Sequence, residues 1–229
     1  MGIYTDTIQD YYYEIYEKRS LNVMYQNIAT KVLTGEVRLS YANLTNPRAP
    51  QQGGEPKYSV TLLIPKTDTA TKLDIDNSIK AAYEDGVSKK WGGARPQPKM
   101  IVHDGDGLRP SGLPFGDECK GCWVITASTK SKPQVVGIDN VNCELAPQDI
   151  YSGMYARVTI NFFAYDTAGS KGVGCGLGNV MKTRDGEPLS GGASAASDFA
   201  DFNTQQAAAP AFQQPVNGTR INPITGQPM

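Results

Sequence analysis

Histidine is almost absent from this chain: His103 is the only one among 229 residues. That scarcity leaves one candidate base for serine or cysteine nucleophile chemistry, which needs a base that is itself held by a third group. His103 stands beside Asp104 with no nucleophile in a recognisable local motif, so a structural or solvent-facing role is expected. Cysteine is sparse as well. Four thiols are too few for a disulfide scaffold at this length, and reduced cysteines are expected. No apolar run approaches about 18 residues and no basic-then-apolar leader is present, so the expectation is an intracellular protein without a membrane partner. Neither charge is in excess: the formal net charge is −1, which excludes a histone-like polycation and requires any nucleic-acid partner to be met by a local patch. Between Lys31 and Ser190 there are 19 Lys and Arg against 17 Asp and Glu, a weak positive balance. Hydrophobic residues make up 39% of the chain, below the globular average, so part of it is expected to stay outside any core.

What is present is β-patterned sequence. Residues 156–165, ARVTINFFAY, have the β-branched and aromatic content of a half-buried strand, and 173–181 follows as a glycine-punctuated strand after a turn at Asp166 to Gly169. Glycine within a strand marks a bulge or a close approach of backbone or ligand. Upstream, 31–44 reads as a strand with Gly35 as a bulge, 46–56 as a loop, and 57–65 as a strand whose Val60, Leu62 and Ile64 face one way. Thr67, Asp68 and Thr69 cap a helix running to about Val87, with Leu73, Ile75 or Asp76, Ile79, Ala82 and Tyr83 on its apolar face. A long irregular excursion follows, then strands at 121–128 and 133–138 and a connection with a turn at 146–150. The first 30 residues form an extension of doubtful status. On one reading, Tyr11 and Ile15, and less cleanly Ile8 and Tyr16, are expected on one face of a short helix capped by Asp6 or Thr7. Alternatively, Glu17 to Ser20 can be encoded by a purine-rich ribosome-binding sequence, which would start translation at Met24. Residues 191–229 are rich in Gly, Ala, Ser, Gln and Pro and are expected to be a disordered tail, unable to offset an ordering entropy of roughly 1–2 kcal/mol per residue.

No catalytic set emerges, and no cofactor is expected. Asp104 and Asp106 in DGDG lack the further oxygen ligands of a calcium loop and read as a turn. Cys119 and Cys122 have the spacing of half a zinc site, with Cys143 and Cys175 as distant completions. Neither of those belongs to a second pair, so no metal is expected. The run 172–178, GVGCGLG, lacks the Lys-Ser/Thr ending of a phosphate-binding loop. The strongest pattern is cations interleaved with rings: Lys89, Lys90, Trp91 and Arg95; Trp123 with Lys130 and Lys132; Lys182 and Arg184; Arg38 and Tyr41. Single-stranded nucleic acid calls for this mixture, since cations track phosphates while flat rings stack on bases. Trp91, between lysines and glycines, is expected to be an exposed stacking ring; Trp123 suits core or platform equally.

The order of motifs RLSYANL, YSVTLLIPK, LDIDNSIKAAYEDG, DGDG, GCWVITASTKSKPQVV, YARVTINFFAYD and KGVGCGLGNVMKTRDGEPLSGG resembles bacteriophage single-stranded-DNA-binding proteins carried mostly by phages of Gram-positive bacteria. The similarity covers about residues 31–191. It implies a mainly β domain over 31–190, an oligonucleotide/oligosaccharide-binding (OB) fold-like five-stranded barrel with one amphipathic helix and long loops. It implies a non-catalytic protein of the bacterial host cytoplasm that coats and protects single strands during phage DNA replication and recombination. A virion or tail structural module is the alternative, and a homodimer is left open. Such proteins often end in an acidic tail with a terminal aromatic that recruits replication or recombination enzymes. The nearest equivalent here is internal, at Asp198, Phe199, Asp201 and Phe202.

Overall fold

The computed structural model describes residues 28–49, 53–167 and 170–189. The N-terminal helix, the Met24 start and the tail with its Asp-Phe-Ala-Asp-Phe segment lie outside the described residues. Nine strands are described: β1 (Lys31–Leu33), β2 (Val37–Arg48), β3 (Lys57–Pro65), β4 (Val102–Asp104), β5 (Cys122–Thr129), β6 (Val135–Gly137), β7 (Asn140–Glu144), β8 (Tyr155–Thr167) and β9 (Ser170–Arg184). One helix, α1 (Thr69–Lys89), separates β3 from β4.

Five of these strands close a ring. β2 pairs antiparallel with β3, β3 with β5, β8 with β9 and β8 with β2, while β5 meets β9 in parallel at Ser128 and Gly176. This order, with its single parallel contact, is that of the OB barrel. Closure works because each long strand alternates. Leu39, Leu62, Ile64, Ile125, Ile160 and Phe162 are at most 1% exposed and fill the interior, joined by Leu44, Val60, Val158 and Val180.

The expected single strand over 31–44 is divided. At the break, the Gly35 N–H donates to Thr71 Oγ1 (2.8 Å), and the Thr71 N–H donates to the helix cap at Asp68 Oδ1 (3.0 Å), so the start of α1 docks between β1 and β2. The helix face differs from expectation too. Thr71, Ile75, Ser78, Ala82 and Gly86 are buried, whereas Leu73 is 42% exposed. Small residues let the helix approach β8 closely: a Cβ on Gly86 would stand 2.6 Å from the Trp91 ring and 2.7 Å from Ala164 Cβ. The expected strand over 133–138 is a short β6 paired with β7, and β4, inside the excursion read as irregular, pairs with β5.

Candidate nucleic-acid interface

The strand registers place Asn43, Ser59, Ser128, Gly176, Asn161 and Lys31 opposite one another in β2, β3, β5, β9, β8 and β1. Residues directly opposite share a face. Because Val60, Ala127, Cys175 and Ile160 point into the core, this row points out. Thr61 and Thr126 lie opposite one another alongside it, their hydroxyls 3.1 Å apart, and Asn43 Nδ2 donates to Ser59 Oγ (3.3 Å). The outer floor of β3 and β5 therefore carries hydroxyls and few long side chains, so a polymer can reach the sheet backbone.

Cations stand at the β2–β3 end of this floor. Arg48 is opposite Lys57, Lys130 pairs with Glu55, and Lys132 with Glu144 at 3.2 Å. All these ion pairs are solvent-exposed, so a phosphate can replace the carboxylate at small cost. Tyr41 stands on the same strand as Asn43. It is 59% exposed and is the one described non-glycine residue with positive φ, at 47°. The conformation belongs to a register slip between Ser40 and Asn43, held by Asn43 Nδ2 donating to Tyr41 O (3.1 Å) and Ala42 N–H donating to Ser152 Oγ (3.0 Å). A tyrosine kept outward in a left-handed backbone, where glycine is less strained, marks a position set by something other than packing.

Most of the other sequence-derived candidates are engaged elsewhere. Trp91 is a core residue, contrary to expectation: it is 3% exposed, its Nε1–H donates to Tyr165 O (3.0 Å), and its ring meets Tyr83 edge-on at 5.2 Å. Lys90 Nζ donates to Ala164 O (2.9 Å). Together they satisfy two carbonyls of β8 beyond the residues it pairs with β1, which accounts for an indole and an ammonium side by side. Lys89 pairs with Asp85 and Arg95 with Glu84 on the helix surface. Trp123 is half-buried against the core, with the ammonium groups of Lys66 and Lys72 each 5.0 Å from its ring centroid. Lys66 is in turn held by Asp104 (2.6 Å) and Asp106 (2.7 Å), and it keeps both carboxyls below their usual range. The cation of the DGDG turn is thus a lysine of the same chain.

Arg38, Lys182 and Arg184 gather at the opposite end, around the exit of β9. Arg184 stacks 3.4 Å from the Tyr155 ring centroid and pairs with Glu36, while Arg38 lies 5.9 Å from that ring and donates through Nη2 to Glu187 O (2.7 Å). Lys182 sits 5.2 Å from the Tyr151 ring and pairs with Asp185 (2.7 Å), whose carboxylate accepts the Tyr151 hydroxyl (2.7 Å). Lys182 and then Tyr151 hold the Asp185 carboxyl below its usual range, and hydrogen bonding from Thr183 does the same for Glu36.

Two of the four cysteines share one small cluster and the other two lie apart from it. Cys175 lies inside the barrel, where burial pushes its thiol up to about 12; Cys119 and Cys122 pack with Leu63 and Val124; and Cys143 is exposed on β7. Among the described residues, no three metal-ligating side chains converge. No described helix is long and apolar enough to cross a membrane.

The family model of the single-stranded-DNA-binding protein of Enterobacter phage Enc34 matches residues 30–209. The chain belongs to that family. The Enc34 protein, solved in complex with single-stranded DNA, is 32% identical and superposes with a TM-score of 0.61, covering 71% of this chain and 90% of its own. The same protein solved alone is 31% identical with a TM-score of 0.59, covering 76% of this chain and 92% of its own. Protein p50 of Acyrthosiphon pisum secondary endosymbiont phage 1 is 32% identical over 186 residues, covering 76% of this chain and 94% of that protein. Membership in the Enc34 family makes the chain a phage-type, non-catalytic, single-stranded-DNA-binding protein. It does not carry the Gram-positive association that the motif resemblance implied, since Enc34 is an Enterobacter phage. The family match also extends past the resemblance, through Asp198 to Phe202.

Sequence reasoning missed the floor itself. Asn43, Ser59, Thr61, Thr126 and Ser128, with Arg48 and Lys57, are legible in the sequence only as the polar half of each strand's alternation.

Proposed function

We propose that the chain coats single-stranded DNA in the cytoplasm of a bacterial host during phage replication and recombination, binding with little regard to sequence. The domain responsible spans residues 31–190. The strand crosses the hydroxyl floor of β3 and β5, its phosphates met by Arg48, Lys57, Lys130 and Lys132 and a base met by Tyr41. One observation carries this reading: the outward row of small polar side chains crosses three strands of the barrel, continues to Gly176 on a fourth, and begins beside the exposed ring and unburied cations of β2 and β3. A floor without long side chains suits a polymer of variable bases, because stacking and phosphate pairing need no base-specific partner. The segment 198–202 serves as a docking site for replication or recombination enzymes. Removing 191–229 leaves strand binding intact or stronger.

A titration of dye-labelled oligo-dT at low salt tests the function. Binding that weakens steeply with added salt, with duplex competing poorly, supports it. No binding at low salt would instead favour a virion module, and cleavage of the strand in magnesium would favour a nuclease.

A further inference from the structure

The outer face of β8 carries a second exposed ring, Phe163, at 45% exposure between Phe162 at 1% and Ala164 at 7%. Opposite it on β9 is Gly174, and Gly176 follows on the same face. A Cβ on Gly174 would stand 2.9 Å from Phe163 Cζ, and one on Gly176 would stand 3.5 Å from its Cε1. The ring therefore lies along the β9 backbone, with one face on glycine and the other outward. Tyr165 covers Gly172 in the same way, but its carbonyl is bound by Trp91 and its ring is half-buried.

We infer that the outward face of Phe163 is a base-stacking platform for single-stranded DNA, a second aromatic contact, on β8, in addition to Tyr41 on β2. The inference rests on the DNA-binding reading given above. Three observations favour a base as the occupant. Gly176 and Asn161, adjoining Phe163, belong to the same outward row as Ser128, Ser59 and Asn43, so the platform continues the proposed path. Lysines lie along the same strands and at their turn: Lys31 is opposite Asn161, Lys171 pairs with Asp166 near the end of β8, and Lys99 donates to Ser170 Oγ (2.8 Å). A flat ring lying on backbone, with its free face outward, is the geometry a base stacks upon.

A purely structural role is distinguishable. Covering a glycine backbone needs apolar surface only, and leucine supplies that without a π face. In the full chain, Phe163→Leu should keep the thermal midpoint near wild type and weaken oligo-dT binding roughly five-fold or more by fluorescence anisotropy. The slope of log affinity against log salt should stay unchanged, since every phosphate keeps its cation. Phe163→Trp should keep the affinity and add fluorescence quenching beyond wild type, whose Trp91 is buried and Trp123 covered by lysines. Wild-type affinity in a folded Phe163→Leu protein would overturn the inference, as would indole fluorescence of the Phe163→Trp variant that DNA quenches no more than wild type. Should Phe163→Leu not fold, the tryptophan variant alone decides. If the wild-type chain itself ignores oligo-dT, the DNA-binding reading falls and the platform with it.

Discussion

The two ends of the barrel contain the same kinds of residue put to different use. At the exit of β9, Arg38, Lys182 and Arg184 meet Tyr151 and Tyr155, and each cation has a ring, a carboxylate or a backbone carbonyl of the same chain. At the β2–β3 end, Tyr41 is exposed on β2, and of Arg48, Lys57, Lys130 and Lys132 two cations are opposite each other and two are held by surface carboxylates. A cation placed over a ring has already used the π face that a base would need. Mixed basic and aromatic composition marks both a clamp and a ligand surface, and only the partners tell them apart.

The contrast can be tested by asking whether each site moves stability or binding. The largest effect is expected at Trp91. Trp91→Ala should lower unfolding free energy by about 3–5 kcal/mol in a denaturant titration, while the folded fraction binds oligo-dT as wild type does; a loss of affinity without loss of stability would return Trp91 to the interface. Tyr155→Ala removes the ring between two guanidinium groups and should cost about 1–3 kcal/mol by thermal unfolding, again with affinity preserved. Tyr41→Gly should act in the opposite sense. Relief of the left-handed backbone offsets glycine's extra unfolded-state entropy, so stability stays level or rises by up to about 1 kcal/mol, while affinity falls by about 1–3 kcal/mol. The double change Lys57→Ala and Lys130→Ala should reduce the salt slope by about 0.7 for each phosphate left without its lysine, with the same unfolding midpoint.

The smallest expected effect is on pH dependence. Glu36 and Asp185 are depressed in the folded clamp, so their contribution is present above the ordinary carboxylate range and is lost as pH falls through the lower folded values. Wild type should therefore lose stability below about pH 4, and Asp185→Asn should flatten part of that fall; an unchanged acid limb would show that the pair contributes nothing.

Much of the scaffold is legible from alternation alone. Lys57–Pro65 is a strand with Val60, Leu62 and Ile64 inward, because a period of two admits one register once a face is buried. The cap at Asp68 is legible for a similar local reason. Trp91 is not. Its burial depends on Gly86, five residues upstream, and on the Tyr165 carbonyl that only the fold brings within reach. The floor is illegible for the converse reason: Ser59 and Ser128 are unremarkable singly and acquire meaning when β3 and β5 pair. The glycines of β9 read as places of close approach and are so, but Phe163, which makes the approach, looks in the sequence like one more strand aromatic.

The most direct measurement is photocross-linking of the full chain to an iodouracil-substituted oligonucleotide, with the modified peptides mapped by mass spectrometry. The account predicts adducts at Tyr41 and Phe163 and none at Tyr151 or Tyr155. Adducts concentrated on Tyr151 and Tyr155, with Tyr41 and Phe163 unmarked, would place the strand at the clamp and contradict it.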